Sequence, residues 1–226
     1  MEAAKGERMV VAVDVDGTLY DGTGVAPEAV AALRRCRDRG DLVMIVTGRR
    51  FETLADVVPE VLELCELVVG EEGGVLVDVA SGTITLLAAA LEPALLAALV
   101  DAGVPDLDVG HVVVGGPFSH FDEFERARDL VGSNRHLVVN KQSVALAPAG
   151  CNKATGLSAA IAARGAEGRP IIAIGDAAND LPMFAIATHP YAVANADHAV
   201  HLADIPLTRA SVGRGVAEAL AHHLPT

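Results

Sequence analysis

The chain has 226 residues, 51% of them hydrophobic but only 3% aromatic, and it has no Trp. That is room for one large domain, or a core with a small insert, around an interior of Ala, Val, Leu and Ile; such side chains suit helices laid on a buried parallel sheet. Asp and Glu number 30 against 17 Lys and Arg, for a net charge of −13, so the surface repels nucleic acid and anionic membranes, and an anionic substrate needs a metal or a well-placed Lys to hold it.

The first ten residues, MEAAKGERMV, run directly into a strand-like segment with no apolar leader and cleavage site. Met9 to Val13 is a continuous apolar run, read as a strand buried on both faces, and Asp14-Val-Asp-Gly-Thr-Leu19 follows it. Pro27 to Arg39 is a predicted helix, with Pro in its first turn and Gly40 as its stop. Leu42 to Val46 is a second buried strand, ending at Thr47-Gly-Arg-Arg. Phe51 to Leu64 reads as helix interrupted near Pro59, and Leu67 to Val69 as a third strand. Gly73 to Leu87 suggests a hairpin turning at Ser81-Gly82.

Leu91 to Ala102 is an apolar helix, Val109 to Val114 a strand and Phe121 to Leu130 a charged amphipathic helix. His136 to Val139 and Ser143 to Ala147 are two short strands around Lys141-Gln142. The longest apolar stretch, Leu86 to Val100, is broken by Glu92 and Pro93, so no membrane span is expected. Asn152 caps a helix from Lys153 to Arg164 that Gly165 closes. Pro170 to Ile174 is another buried strand leading into Gly175-Asp176; Asn179 to Ala187 is a short helix, Tyr191 to Ala194 a last strand and Val212 to Leu224 a closing helix. Cys36, Cys65 and Cys151, odd in number and far apart, fit reduced thiols in the cytoplasm.

This order implies an α/β fold: a doubly wound, mostly parallel, Rossmann-like sheet with a small inserted α+β cap. Residues 1–87 and 148–226 are the expected core, and residues 88–147 the expected cap.

Three buried strands run into polar residues at their carboxyl ends: Asp14 and Asp16, Thr47, and Asp176. Ligands of an open parallel sheet bind just beyond those ends, so these residues should converge, and Lys153 at a helix start can join them. Carboxylates gathered together need a cation among them, and an oxygen-only donor set without nearby Cys or His suits Mg²⁺. A carboxylate held against Mg²⁺ and a phosphoryl group is a feasible nucleophile, and one two residues on can move protons. A Thr hydroxyl and a Lys ammonium can hold phosphoryl oxygens, while Gly17 and Gly48 let backbone amides approach them.

Asp14-Val-Asp-Gly-Thr-Leu, Val46-Thr-Gly-Arg, Asn152-Lys153 and Gly175-Asp-Ala-Ala-Asn-Asp-Leu-Pro-Met183 resemble, in order, the four motifs of the haloacid dehalogenase superfamily of phosphatases. The Thr-Gly-Arg and Gly-Asp-x-x-Asn-Asp forms are similar to its Cof-like (type IIB) branch, and the short insert to smaller-capped members such as phosphoglycolate and mannosyl-3-phosphoglycerate phosphatases. The resemblance implies Asp14 as nucleophile and metal ligand. Asp16 is implied as general acid/base and, through its backbone carbonyl, metal ligand; Asp176 is the third ligand. Thr47, Gly48 and Lys153 fall to the phosphoryl group, Asn179 to phosphate or substrate, and Asp180 supports Lys153 or metal-bound water.

The implied partner is a small phosphorylated metabolite: phosphoglycolate, a sugar phosphate or a phosphoglycerate derivative. A phosphomutase fits the same motifs, and a receiver-like phosphate-sensing module shares several residue types. Arg49 fits either a substrate contact or a surface role. Glu71-Glu72-Gly73-Gly74 departs from the Glu-Asn-Gly of the branch, so no role passes to Glu71 or Glu72.

Overall fold

β1 (Val10–Val13) has no polar side chain and is buried along its whole length, which puts it at the middle of a sheet with helices on both faces. The computed structural model describes residues 7–224. Beside β1 lie β2 (Leu42–Val46) and β3 (Leu67–Gly70) on one side, and β10 (Ile171–Gly175) and β11 (His189–Ala192) on the other, all parallel. Val10 registers with Leu42 and with Ile171, so the carboxyl ends of the three central strands lie level. A hairpin of β4 (Val75–Asp78) and β5 (Thr83–Leu86) completes the seven-stranded sheet, in the order β11-β10-β1-β2-β3-β4-β5.

The pleat divides the core. Val11 and Val13 pack with Leu33, Val216 and Leu220, from α1 (Pro27–Arg39) and the helix α9 (Val212–Ala221). Val10 and Ala12 face Leu157 and Ile161 of α6 (Lys153–Ala163), and Met183 and Phe184 of α7 (Leu181–Ile186). Two one-turn helices, α2 (Leu54–Val57) and α3 (Pro59–Leu62), break where Pro59 interrupts the expected helix. β11 starts two residues before the expected strand and includes Pro190; as the edge strand it needs no ladder bond from that position. α8 (His198–Leu202), unforeseen as an element, is capped by Asp197.

A second, four-stranded antiparallel sheet lies between the two halves of this sequence, with α4 (Pro93–Asp101) and α5 (Phe121–Leu130) packed on it around Leu95, Leu99, Phe124 and Leu146. Its strands are β6 (Asp108–Val109), β7 (Val114–Pro117), β8 (Arg135–Asn140) and β9 (Ser143–Pro148). The strand expected from Val109 to Val114 is instead two, β6 and β7, paired antiparallel. The Glu71 carboxylate captures the amides of His111, Val112 and Val113 at 2.8 to 3.1 Å, drawing that segment into a turn.

Candidate active site

Asp14 continues β1, its amide still bonded to the carbonyl of Ile174, so its carboxylate emerges where β1 and β10 part. Lys153 opens α6, where Asn152 accepts from the amides of Ala154 and Thr155 while the Thr155 hydroxyl bonds back to the Asn152 amide. That capping box fixes the helix start, and with it an ammonium buried to 1% exposure. Its Nζ donates to Asp14 Oδ1 at 2.7 Å and to Asp180 Oδ1 at 2.6 Å. The other Asp180 oxygen accepts from the amides of Asp176 and Ala177 at 2.8 and 2.9 Å, holding the loop after β10 in place. Asp176 accepts from the Thr18 hydroxyl at 3.2 Å through one oxygen and from Lys141 through the other.

Thr47 is buried at the end of β2 and its hydroxyl accepts from the Arg49 amide. Gly48 lies against the Glu72 carboxylate. Asn179 donates to both Glu72 oxygens at 3.1 and 3.2 Å, leaving its own amide oxygen buried without a hydrogen-bond partner. Asp16 faces the cleft, paired with Arg49 through two bonds of 2.6 and 2.7 Å. Asp14, Asp16, Thr47, Gly48 and Arg49 line a cavity of about 420 Å³, roofed by Gly116, Val144 and Ala145 of the second sheet. Lys153, Asp176 and Asp180 lie outside that lining, and Lys153 and Asp180 are joined to it through Asp14. The sequence-derived residues are thus brought together at one end of the sheet.

Three residues at the site went unassigned or undecided in the sequence. Glu72 carries φ +56, faces Asn179 and is 7% exposed. The one cue near it was the departure of Glu71-Glu72-Gly73-Gly74 from the Glu-Asn-Gly of the branch it resembles. Arg49 had two open readings and takes Asp16. Lys141 reads as the turn between two strands, and nothing near it in sequence points to Asp176.

Burial dominates the electrostatics. It pushes the Asp14 carboxyl up to about 8 against the pull of Lys153, with Asp180 and Asp176 adding to the rise. Burial also raises the carboxyls of Asp176 and Glu72. On Lys153 burial acts the other way, yet Asp14, Asp180 and Glu72 outweigh it and the ammonium is held protonated. One oxygen each from Asp14, Asp176 and Asp180 lies within 4.8 Å of the others. Such buried, oxygen-only donors fit a hard divalent cation, and its charge would relieve their mutual repulsion.

The model of the haloacid dehalogenase-like hydrolases matches residues 11–106 and 105–220. The chain belongs to that family, and it is an enzyme of the phosphatase kind. Phosphoglycolate phosphatase of Haloarcula marismortui is 30% identical over 230 residues, covering 92% of this chain and 94% of its own. That of Nitrosopumilus maritimus is 27% identical over 231 residues, covering 95% of each. A haloacid dehalogenase-like hydrolase from Bacteroides thetaiotaomicron superposes with a TM-score of 0.79 at 18% identity, over 96% of this chain and 100% of its own. A sugar phosphatase of subclass IIB superposes with 0.77 at 16%, over 95% and 98%. Both show the same fold. Among the described residues no helix is long and apolar enough to cross a membrane.

Proposed function

We propose that this enzyme hydrolyses a small phosphorylated metabolite through a phosphoryl group carried on Asp14, with Mg²⁺ as cofactor. The observation that carries this is the buried Lys153 bridging Asp14 and Asp180, beside carboxylate oxygens of Asp14, Asp176 and Asp180 that lie within 4.8 Å of one another. The Asp14 and Asp176 carboxylates and the Asp16 carbonyl would hold Mg²⁺. When bound, the ion draws off charge from the phosphoryl oxygens and lets Asp14 stay ionised despite its burial.

Asp14 attacks phosphorus through a carboxylate oxygen, forming the acyl phosphate as the bond to the leaving oxygen breaks. Asp16, at the cavity wall, gives that oxygen its proton. Water then attacks the same phosphorus, Asp16 takes the water's proton, and the bond to Asp14 breaks to release phosphate and restore the carboxylate. Thr47, the backbone at Gly48, and Lys153 bind the phosphoryl oxygens, and Asn179 reaches phosphate or substrate. Asp180 keeps Lys153 and the loop after β10 in register.

Residues 88–147 act as a cap on a core of residues 1–87 and 148–226, covering the leaving group and excluding water. The names of relatives, phosphoglycolate phosphatases, support phosphoglycolate as the first substrate to try, with sugar phosphates next. Three free, buried thiols support the cytoplasm as the site of action. Release of phosphate from p-nitrophenyl phosphate and phosphoglycolate tests the reading. Turnover should need Mg²⁺, stop with EDTA and fall at least about 10³-fold in Asp14→Asn; unchanged turnover in that variant would refute the assignment.

A further inference from the structure

Lys141 is the tip of the β8–β9 turn and adopts φ +53, a left-handed conformation uncommon for a residue with a side chain. From there its ammonium crosses to the core and bonds Asp176, lying over Gly17 where an added Cβ would collide with it. Among the described residues Asp176 is its one ionic partner. The neighbouring Asn140 has a buried amide oxygen with no hydrogen-bond partner, an acceptor that only a hydrogen-bond donor can satisfy. Lys141, Asn140 and Ser143 line the mouth of the cleft together with Asp16 and Arg49.

The other cations of the site are committed. Arg49 is paired with Asp16, Arg50 with Asp108 at 2.6 Å, and Lys153 with Asp14 and Asp180. Beyond Gly115, Gly116, Val144 and Ala145, the second sheet and its loops line the cavity with two carboxylates, Asp106 and Asp108, and, among the described residues, with no cation. Lys141 differs because its partner belongs to the carboxylate cluster suited to a divalent cation. A cation taking Asp176 removes the one ion pair Lys141 has, at the mouth of a cavity whose floor is Asp14.

We propose that Lys141 is a substrate-binding residue carried by the cap: it yields Asp176 to the divalent cation and then pairs with a second anionic group, a carboxylate, on the leaving portion of the substrate. This rests on the phosphatase reading above and adds to it the chemistry of the leaving group and the residue that reads it. Metal loading and readiness for substrate are thereby linked, because the ammonium is released to the cavity only when the cation is in place.

The test compares kcat/KM for phosphoglycolate and for 2-hydroxyethyl phosphate, which replaces the carboxylate by a neutral hydroxyl group, in the full-length Mg²⁺-loaded enzyme. The wild type should favour phosphoglycolate by about tenfold or more, the scale of one charge-assisted hydrogen bond. Lys141→Met should erase that preference mainly through KM, and Lys141→Arg should keep part of it. Calorimetric titration of Mg²⁺ without substrate gives a readout independent of turnover: Lys141→Met should bind Mg²⁺ more tightly than wild type. A wild type without the preference, a preference that survives Lys141→Met, or a Mg²⁺ affinity unmoved by it overturns the proposal. Failure of the wild type to hydrolyse even p-nitrophenyl phosphate would instead strike the phosphatase reading, while calorimetry would still decide the exchange at Asp176.

Discussion

Lys153 sits between Asp14 and Asp180 at 2.7 and 2.6 Å with almost no access to water. A buried cation with two carboxylate partners is tolerated because each group compensates the others, so removing it should cost more than the two contacts suggest. Lys153→Met keeps much of the volume but leaves Asp14, Asp176 and Asp180 without their central charge. In metal-free protein it should lower stability by about 3–5 kcal/mol in denaturant titration, with Mg²⁺ restoring a large part. An unchanged midpoint would contradict this ion-pair argument. Asp14, Thr47 and Asp176 were legible in the sequence because each ends an apolar run, and strand ends of a parallel sheet share one edge. Lys141 and Glu72 were not. Their side-chain partners lie 35 or more residues away, Asp176 for Lys141 and Asn179 for Glu72.

At the scale of elements, the helix α6 carries Lys153 to the site, and its closeness to the sheet depends on two glycines. A Cβ on Gly156 would meet Val69 Cγ1 at 2.5 Å and the Cα of Gly73 at 2.6 Å, so α6 would have to move away from β3 and the turn after it. Gly156→Ala should therefore destabilise the fold by about 1–3 kcal/mol and lower kcat as Lys153 shifts off Asp14. Full activity with lowered stability would show that Lys153 tolerates the shift. Helix α5 and the Asn152 cap of α6 were readable from local pattern alone. The segment from Val109 to Val114 was not: its residues favour a strand, but three of its amides belong to Glu71, 40 to 42 residues earlier in the chain. The tertiary acceptor overrides the local propensity.

Over the whole molecule, the acidic site ties stability to pH and to metal. The folded state raises Asp14 to about 8, and raises Asp176 and Glu72, chiefly by burial. A carboxyl raised on folding favours the native state while protonated and loses that contribution as pH rises through its folded value. His223, lowered mainly by burial, acts in the opposite sense below its ordinary value of 6.5. The clean window is therefore pH 6.5 to 8. There the melting temperature of metal-free protein should fall with rising pH, the fall should be smaller in Asp14→Asn, and saturating Mg²⁺ should flatten it. A flat metal-free profile would contradict the burial argument.

The most direct measurement of the account is the site of covalent phosphorylation during turnover. Borohydride quenching of enzyme mixed with Mg²⁺ and p-nitrophenyl phosphate converts an aspartyl phosphate to homoserine, which peptide mass spectrometry can locate. The prediction is homoserine at position 14, appearing only with substrate and absent in Asp14→Asn. Trapping at another carboxylate, or steady turnover by Asp14→Asn, would contradict it.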